Sequence, residues 1–532
     1  MIENHDIRRK MQRYRRGKQM NRKKEILDQE LEQWLADFQK KGGTAQRKKE
    51  KDDKAAKKCR EKSARSFQVS RRKDQQKPGS ANQQKPKSTN QQGQSQQKQK
   101  EKAQMQRERM VLADGTASKA EPICPVSARC GGCQLLHLSY EEQLRQKNKR
   151  LTELLKGICP VHSIIGMEQP WHYRNKVHAV FDHDQKGNPI SGVYEANSHR
   201  VVPVETCRIE DEKADEIIGT IRGMLKSFKI RTFDEDTGYG LLRHVLVRVG
   251  KASGQIMVVL VTASPVFPSK NNFVKALRNR HPEITTIIQN VNDRNTSMVL
   301  GDRESVLYGR GYIEDQLCGY TFRISSKSFY QVNPVQTEKL YQKAIELAGL
   351  SGRETVVDAY CGIGTIGIIA AASAKRVIGV ELNPDAVRDA VKNAKRNQVE
   401  NIEFYCNDAS VFLTQMAEAE ELVDVVIMDP PRSGSTEIFM DAVGRIKPEK
   451  VIYISCGPES LARDLKYFKK MGYQAEGAWG YDMFSQTYHV ESIVLLSKLK
   501  SNHHIEVELK LDGMDLTSAE KKRHMKKSRI MY

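Results

Sequence analysis

The sequence predicts a doubly wound α/β domain over residues 325–499, preceded by a mostly β central domain over residues 121–324. Two observations predict it. From about Lys327 onward, apolar strands and amphipathic helices alternate strictly, the pattern of a sheet covered by helices on both faces. Upstream, short strands follow one another with turn residues between them, the pattern of an antiparallel sheet.

The upstream strands are KVHAVFDHD, ISGVYE, RVVPVE, LLRHVLVRVG and QIMVVLVTA. A Lys-Gly-Asn-Pro turn separates the first two, and a Lys-Ala-Ser-Gly turn the last two. Downstream, a helix over 335–349 precedes strand TVVDAY, a glycine loop and helix TIGIIAAASA. Strand RVIGVEL, a helix over 384–397 and strands IEFYCND, VDVVIMDP and VIYISC follow, with helices between them, and HVESIVLLS closes the sheet.

The chain has 532 residues and a formal net charge of +22. Residues 1–123 hold 34 Lys and Arg against 16 Asp and Glu, so this segment carries +18 and the remaining 409 residues about +4. An anionic partner is expected, and most of the attraction lies in an N-terminal arm. Residues 43–110 are rich in Lys, Gln and Ser, a composition that buries too little surface to offset chain entropy. The reading for 1–120 is therefore a disordered basic arm, with one helix over 21–40 where Leu27, Leu31, Trp34 and Phe38 form an apolar stripe. Residues 500–532 read as a basic tail. No apolar segment follows the basic start, and no run approaches 18 apolar residues, so neither a secretory signal nor a membrane span is expected. The expected location is the cytoplasm, where ten cysteines point to metal or catalysis rather than disulfides.

DAYCGIGTIG, from Asp358 to Gly367, follows a strand and opens a helix. Its Gly362-x-Gly364-x-x-Gly367 spacing fits a Rossmann-like nucleotide loop, and Glu381 ends the next strand where a carboxylate can hold ribose hydroxyls. On these residues alone NAD stays an alternative. Asp358 inside the first strand, and Asp429 in MDPPRSGS at the end of the fourth, point instead to S-adenosylmethionine. In VIYISCGPESLARDL, Cys456 lies where a strand hands over to a helix opened by Pro458. A helix N-terminus lowers a thiol's pKa, so Cys456 is expected to favour the thiolate.

SFYQVN (328–333), DAYCGIGT, MDPPR, SCGP and HVES stand in the order and spacing of RNA uracil-C5 methyltransferases, and the chain resembles that family over roughly residues 121–499. WHYRNK (171–176) and LLRHVLVR (241–248) extend the resemblance upstream. It implies a methyltransferase domain in which Gln331, Tyr360, Glu381, Asp408 and Asp429 contact S-adenosylmethionine, Cys456 is the nucleophile and Glu491 the base. The chemistry needs those groups. Uracil C5 becomes carbanion-like only after a thiolate adds to C6, and a base must later remove the C5 proton. Burial of Glu491 in VESIVLL is expected to raise its pKa. The fourth-strand motif holds no cysteine, which disfavours a cytosine-C5 enzyme. One departure stands out: the family pattern is Ser-Cys-Asn-Pro, and this chain has Gly457 in place of Asn.

CPVSARCGGC places Cys124, Cys130 and Cys133 within ten residues around a Gly-Gly turn, a metal-binding signal whose spacing fits zinc or an iron–sulfur cluster. Cys207 and Cys159 are the candidates for a fourth ligand. The pattern resembles the [4Fe–4S] site of the family's 23S ribosomal RNA branch, which implies Cys207 and a ribosomal RNA substrate. The expected protein is a monomer that methylates 23S ribosomal RNA away from any membrane. A transfer-RNA methyltransferase and a non-catalytic RNA-binding assembly factor are the alternatives.

Overall fold

The computed structural model describes residues 124–195, 198–294 and 298–499. The expected arm, its helix over 21–40 and the basic tail lie outside the described residues. After a single turn, α1 (Ser127–Cys130), comes α2 (Tyr140–Leu154), capped by Ser139, whose hydroxyl accepts from Glu142 N–H at 3.3 Å.

A central seven-stranded sheet follows. Its strands are β1 (Lys176–His183), β2 (Pro189–Tyr194), β3 (Val201–Pro203), β4 (Leu242–Val249), β5 (Ile256–Thr262), β6 (Ile284–Val291) and β7 (Arg303–Tyr308), in the order β3-β2-β1-β4-β5-β6-β7. All neighbours are antiparallel except β5 and β6, which run parallel on either side of helix α4 (Lys270–Arg280). Period-two alternation sorts the side chains of β1 and β4. Val177, Ala179, Phe181, Val245 and Val247 join the core beneath α3 (Glu212–Met224) and α4. The other face meets the C-terminal half: Leu246, Met257, Val259 and Ile288 share a core with Tyr330, Leu340 and Tyr341. The hairpin β8 (Ile313–Leu317) and β9 (Tyr320–Ile324) connects the two halves.

The second sheet contains β10 (Thr355–Ala359), β11 (Arg376–Glu381), β12 (Ile402–Cys406), β13 (Val425–Met428), β14 (Lys450–Ser455), β15 (Tyr473–Tyr481) and β16 (Glu491–Lys498), in the order β12-β11-β10-β13-β14-β16-β15. The first five are parallel; β16 inserts antiparallel between β14 and β15. Helices α5 (Pro334–Ala348), α6 (Thr365–Ala371), α7 (Pro384–Arg396), α8 (Ala409–Glu418), α9 (Glu437–Ile446) and α10 (Pro458–Lys470) cover it. Strands buried on both faces read as continuous apolar runs, and Val451–Ile454 are all fully buried. Each such side chain contributes about 1.5–3 kcal/mol over its exposed state.

The sequence pattern misses β15, whose Gly477 and Gly480 interrupt its apolar periodicity. Those glycines admit a neighbour: the segment before Gly166 pairs with β15 through Val161–Ala478 and Ile165–Tyr481. Leu151 and Leu155, on and just after α2, sink into the same core as Tyr453 and Leu461. Residues that follow the cysteine segment are thus tied to the second sheet. No helix among the described residues is long and apolar enough to cross a membrane.

Candidate active site

The carboxyl edges of β10, β11, β13 and β14 collect the acidic and nucleophilic residues on one rim, where doubly wound sheets bind ligands. Asp358 lies beside Ile427, so Asp429 emerges two residues further along the neighbouring strand. Glu381 ends β11 opposite Cys406, and Asp408 follows two residues after Cys406. Gln331 comes from the loop before α5, where its backbone carbonyl accepts from Asn175 Nδ2 at 3.2 Å.

Asp358 shapes the glycine loop from below. Its Oδ2 accepts from Gly367 N–H at 2.8 Å, and a Cβ on Gly367 would meet that same oxygen at 2.8 Å. Only glycine permits this approach. Burial, with Asp429 and Glu381 nearby, pushes the Asp358 carboxyl up to about 8. Glu381 holds the loop from the side, accepting from Gly362 N–H at 3.0 Å and from Asn383 N–H at 2.7 Å. Tyr360 sits at φ 66°, a left-handed conformation costly for a bulky residue, with its ring tilted against Phe439 at 5.4 Å. Asp408 is exposed and caps α8, accepting from Ser410 and Val411 N–H. These residues form an edge with acidic acceptors and open backbone, suited to a polar nucleoside cofactor.

The second half of the rim holds Cys456 and Glu491. Ser455 pairs with Ser492 in the β14–β16 ladder, so Cys456 and Glu491 are adjacent one step beyond it. Cys456 is half-buried; Glu491 is buried. Burial, aided by Asp429, raises the Glu491 carboxyl well above its ordinary range, as its place in an apolar strand leads one to expect. Asp429 is itself pushed up to about 7 by burial.

The thiol departs from the sequence-based expectation. Cys456 does precede the N-terminus of α10, yet its pKa is pushed up to about 11. Burial is the largest cause, followed by the charges of Glu491 and Asp429. Arg432 opposes both: its guanidinium hydrogen-bonds the thiol, and its charge favours the thiolate. Arg432 belongs to the MDPPR motif but carried no role in the sequence reading; its proximity to Cys456 exists only in three dimensions.

Gly457 has a structural reason. A Cβ there would lie 2.7 Å from the Arg432 carbonyl oxygen and 2.8 Å from Ser460 Oγ. Ser460 Oγ in turn lies 2.9 Å from both the Arg432 and the Gly457 carbonyls. The loop bearing Arg432 therefore packs into the space that an asparagine side chain would need.

Cys124, Cys130, Cys133 and Cys207 line one cavity of about 670 Å³. Cys159 is not part of that lining; it packs on the core of the catalytic sheet. Burial pushes Cys133 up to about 11 and Cys207 up to about 12; the charges of Cys130 and Cys124 add to the first, and that of Glu210 to the second. Among the described residues, no three His, Cys, Asp or Glu side chains approach the geometry of a single bound metal ion.

A seven-stranded sheet of this order, with an acidic ligand rim and a glycine loop after its first strand, defines an S-adenosylmethionine-dependent methyltransferase. The comparisons narrow the class. The family model for tRNA (uracil-5-)-methyltransferases matches residues 139–499. An uncharacterized RNA methyltransferase of Clostridium tetani is 42% identical over 386 residues, covering 72% of this chain and 84% of that protein. One of Halalkalibacterium halodurans is 40% identical over 390 residues, covering 72% and 85%. Among solved structures, the Pyrococcus abyssi tRNA (uracil-54, C5)-methyltransferase in complex with S-adenosyl-L-homocysteine aligns with a TM-score of 0.58 and 27% identity, covering 72% of this chain and 88% of that one. The chain belongs to the tRNA (uracil-5-)-methyltransferase family, and is an S-adenosylmethionine-dependent RNA methyltransferase.

Proposed function

We propose that this chain methylates C5 of a uridine in 23S ribosomal RNA through a covalent adduct on Cys456. The adjacency of Cys456 and Glu491 at the end of the β14–β16 ladder carries the reading, because it puts a nucleophile and a base on one substrate ring. Gln331, Tyr360, Glu381, Asp408 and Asp429 would hold the cofactor along the rim. Bound S-adenosylmethionine supplies an electrophilic methyl group and leaves as its thioether.

Cys456 must first lose its proton to solvent, and Arg432 stabilises the resulting thiolate. The thiolate adds to C6, and the ring's electron pair moves toward C5 and the C4 oxygen. C5 then takes the methyl group. Glu491, in its ionised form a strong base because burial raises its proton affinity, removes the C5 proton. The electrons of that C–H bond re-form the C5–C6 double bond as the C6–S bond breaks and the thiolate leaves.

The four cavity-lining thiols suit a [4Fe–4S] cluster. The cluster would hold the segment from Cys124 to Cys133 against Cys207, a structural role. It also favours the ribosomal substrate, by resemblance to that branch of the family. The likeness to the Pyrococcus abyssi enzyme favours a second reading, a transfer-RNA uridine. Nucleoside mass spectrometry of ribosomal and transfer RNA, from cells with and without this chain, separates the two. Loss of 5-methyluridine from transfer RNA alone would overturn the ribosomal assignment.

A further inference from the structure

The register of β1 against β4 places basic residues on one face. Lys176 stands opposite Arg248, His178 opposite Leu246 and Val180 opposite His244. The intervening residues are apolar and sink into the other core, so Lys176, His178, Arg248 and His244 share the face turned toward the catalytic half. The His178 and His244 rings lie 5.0 Å apart.

Among the described residues, no carboxylate pairs with Lys176 or Arg248. Arg248 is 4% exposed and its guanidinium donates only to the Ser326 and Ser328 backbone carbonyls, with Nε left without a partner. His178 Nε2 and His244 Nδ1 are likewise buried and unpartnered. The charges acting on Lys176 are those of Arg248 and Arg174, both cations. Burial, with those two charges, brings its amine down to about 8. Burial and neighbouring cations also hold both histidines neutral, His178 near 4 and His244 near 3, so each retains an N–H to donate. Buried cations without a carboxylate carry a desolvation cost that an anion from outside would offset.

The location says which anion. Lys176 and His178 line the same cavity as Phe329 and Gln331. Asn175, the residue before Lys176, binds the backbone of Gln331 and Val332. The cysteines of the same cavity have a cation of their own nearby: the charge of Arg174 acts on Cys133 and Glu210. We propose that Lys176 and His178, which line the cavity, with the buried Arg248 and His244 behind them, form a phosphate site that grips one backbone phosphodiester of the RNA beside the methyl-transfer centre. The proposal rests on the reading of the chain as an RNA methyltransferase with its donor at Gln331. The Lys176 amine and the His178 N–H match the oxygens of a phosphodiester, and the Arg248 charge behind them adds to the attraction.

The test uses the full chain and its Lys176→Met and Lys176→Arg variants. Binding is measured to 23S ribosomal RNA and transfer-RNA transcripts over a range of salt, and then to a short fragment of the tighter binder with single methylphosphonate linkages. Lys176→Met should bind about tenfold more weakly, with a slope of log K against log salt shallower by about one. One methylphosphonate position should weaken the wild type but not Lys176→Met, and Lys176→Arg should restore most of the affinity. S-adenosylmethionine affinity and iron content should not change. An unchanged affinity and slope in Lys176→Met, or equal methylphosphonate losses in both proteins, would overturn the site. So would a loss of S-adenosylmethionine affinity in place of RNA affinity, which would assign Lys176 to the donor's carboxylate. Binding with the expected signature but no 5-methyluridine would sink the activity reading and leave the phosphate site standing.

Discussion

Cys456 and Glu491 face each other one residue beyond Ser455 and Ser492, the last pair of the β14–β16 ladder. An antiparallel strand inserted beside a parallel one creates this meeting: the end of β14 and the start of β16 coincide at the ligand edge. Cys456→Ala should abolish methyl transfer and leave S-adenosylmethionine binding within about twofold, because the donor side of the rim lies on β10, β11 and β13. RNA carrying 5-fluorouridine at the target should trap a covalent adduct with the wild type, since fluorine at C5 cannot leave as a proton. Methylation surviving in Cys456→Ala would end the nucleophile assignment.

The raised thiol pKa makes its own prediction. At neutral pH the free enzyme should hold Cys456 as the protonated thiol, so alkylation by iodoacetamide should be slow. It should speed up roughly tenfold per pH unit as pH climbs toward about 11. Arg432→Gln removes the cation that opposes Glu491 and Asp429, and should slow alkylation further at any pH below that value. Site-resolved mass spectrometry reads Cys456 separately from the other cysteines. Fast alkylation at pH 7 would mean that the dipole of α10 prevails after all.

Glu491→Gln should stall catalysis after methyl transfer. The thiolate can add and C5 can take the methyl group, but elimination waits for a base, so a protein–RNA adduct should accumulate on ordinary uridine. The same variant should be more stable. An unfolded Glu releases its proton near 4.5, while the folded protein keeps Glu491 protonated well above that value. The native state therefore binds more protons than the unfolded state above about 4.5, and stability falls as pH rises through that window. Glu491→Gln removes this loss, so its gain in Tm should be present at pH 8 and nearly absent at pH 4. An equal gain at both pH values would mean that ionisation is not its cause.

Much of this site was legible in the sequence because its parts are local. Asp358 with its glycine loop, Glu381 at a strand end, and Cys456 at a strand-to-helix junction are each set by a few consecutive residues. What escaped depends on register between distant strands. The sign of the Cys456 shift required knowing that the thiol is half-buried and that Glu491 and Asp429 crowd it. The pairing of Lys176 with Arg248 requires the β1–β4 register, although polar residues at alternate positions in KVHAVF and HVLVR already break an apolar pattern. β15 escaped because its glycines, which admit the chain before Gly166, dilute its periodicity.

If the cavity lined by Cys124, Cys130, Cys133 and Cys207 holds a [4Fe–4S] cluster, protein purified without oxygen should be brown and contain about four irons per chain. Cys207→Ser should lose most of that iron, whereas Cys159→Ser should keep it, because Cys159 packs on the other core. Stoichiometric zinc in place of iron would refute the cluster.

Restoring the family's asparagine tests how tightly the catalytic loop is packed. A Cβ at Gly457 would come within 2.7 Å of a backbone oxygen, that of Arg432, closer than unstrained atoms pack. A backbone atom cannot rotate aside, so Gly457→Asn must push the Arg432 loop away from α10. That displacement moves the guanidinium off the Cys456 thiol and breaks the contacts of Ser460 Oγ with the Arg432 and Gly457 carbonyls. The variant should lose activity on the order of tenfold or more, mostly in kcat, and alkylate more slowly at Cys456. It should lose roughly 1–3 kcal/mol of stability, the cost of overpacking a filled site. Gly457→Ala should show the same pattern, since the clash begins at Cβ; Ser460→Gly should relieve only the smaller part, because the Arg432 oxygen remains. Full activity in Gly457→Asn would show that the Arg432 loop moves freely, and that Arg432 does not act on the thiol from this position.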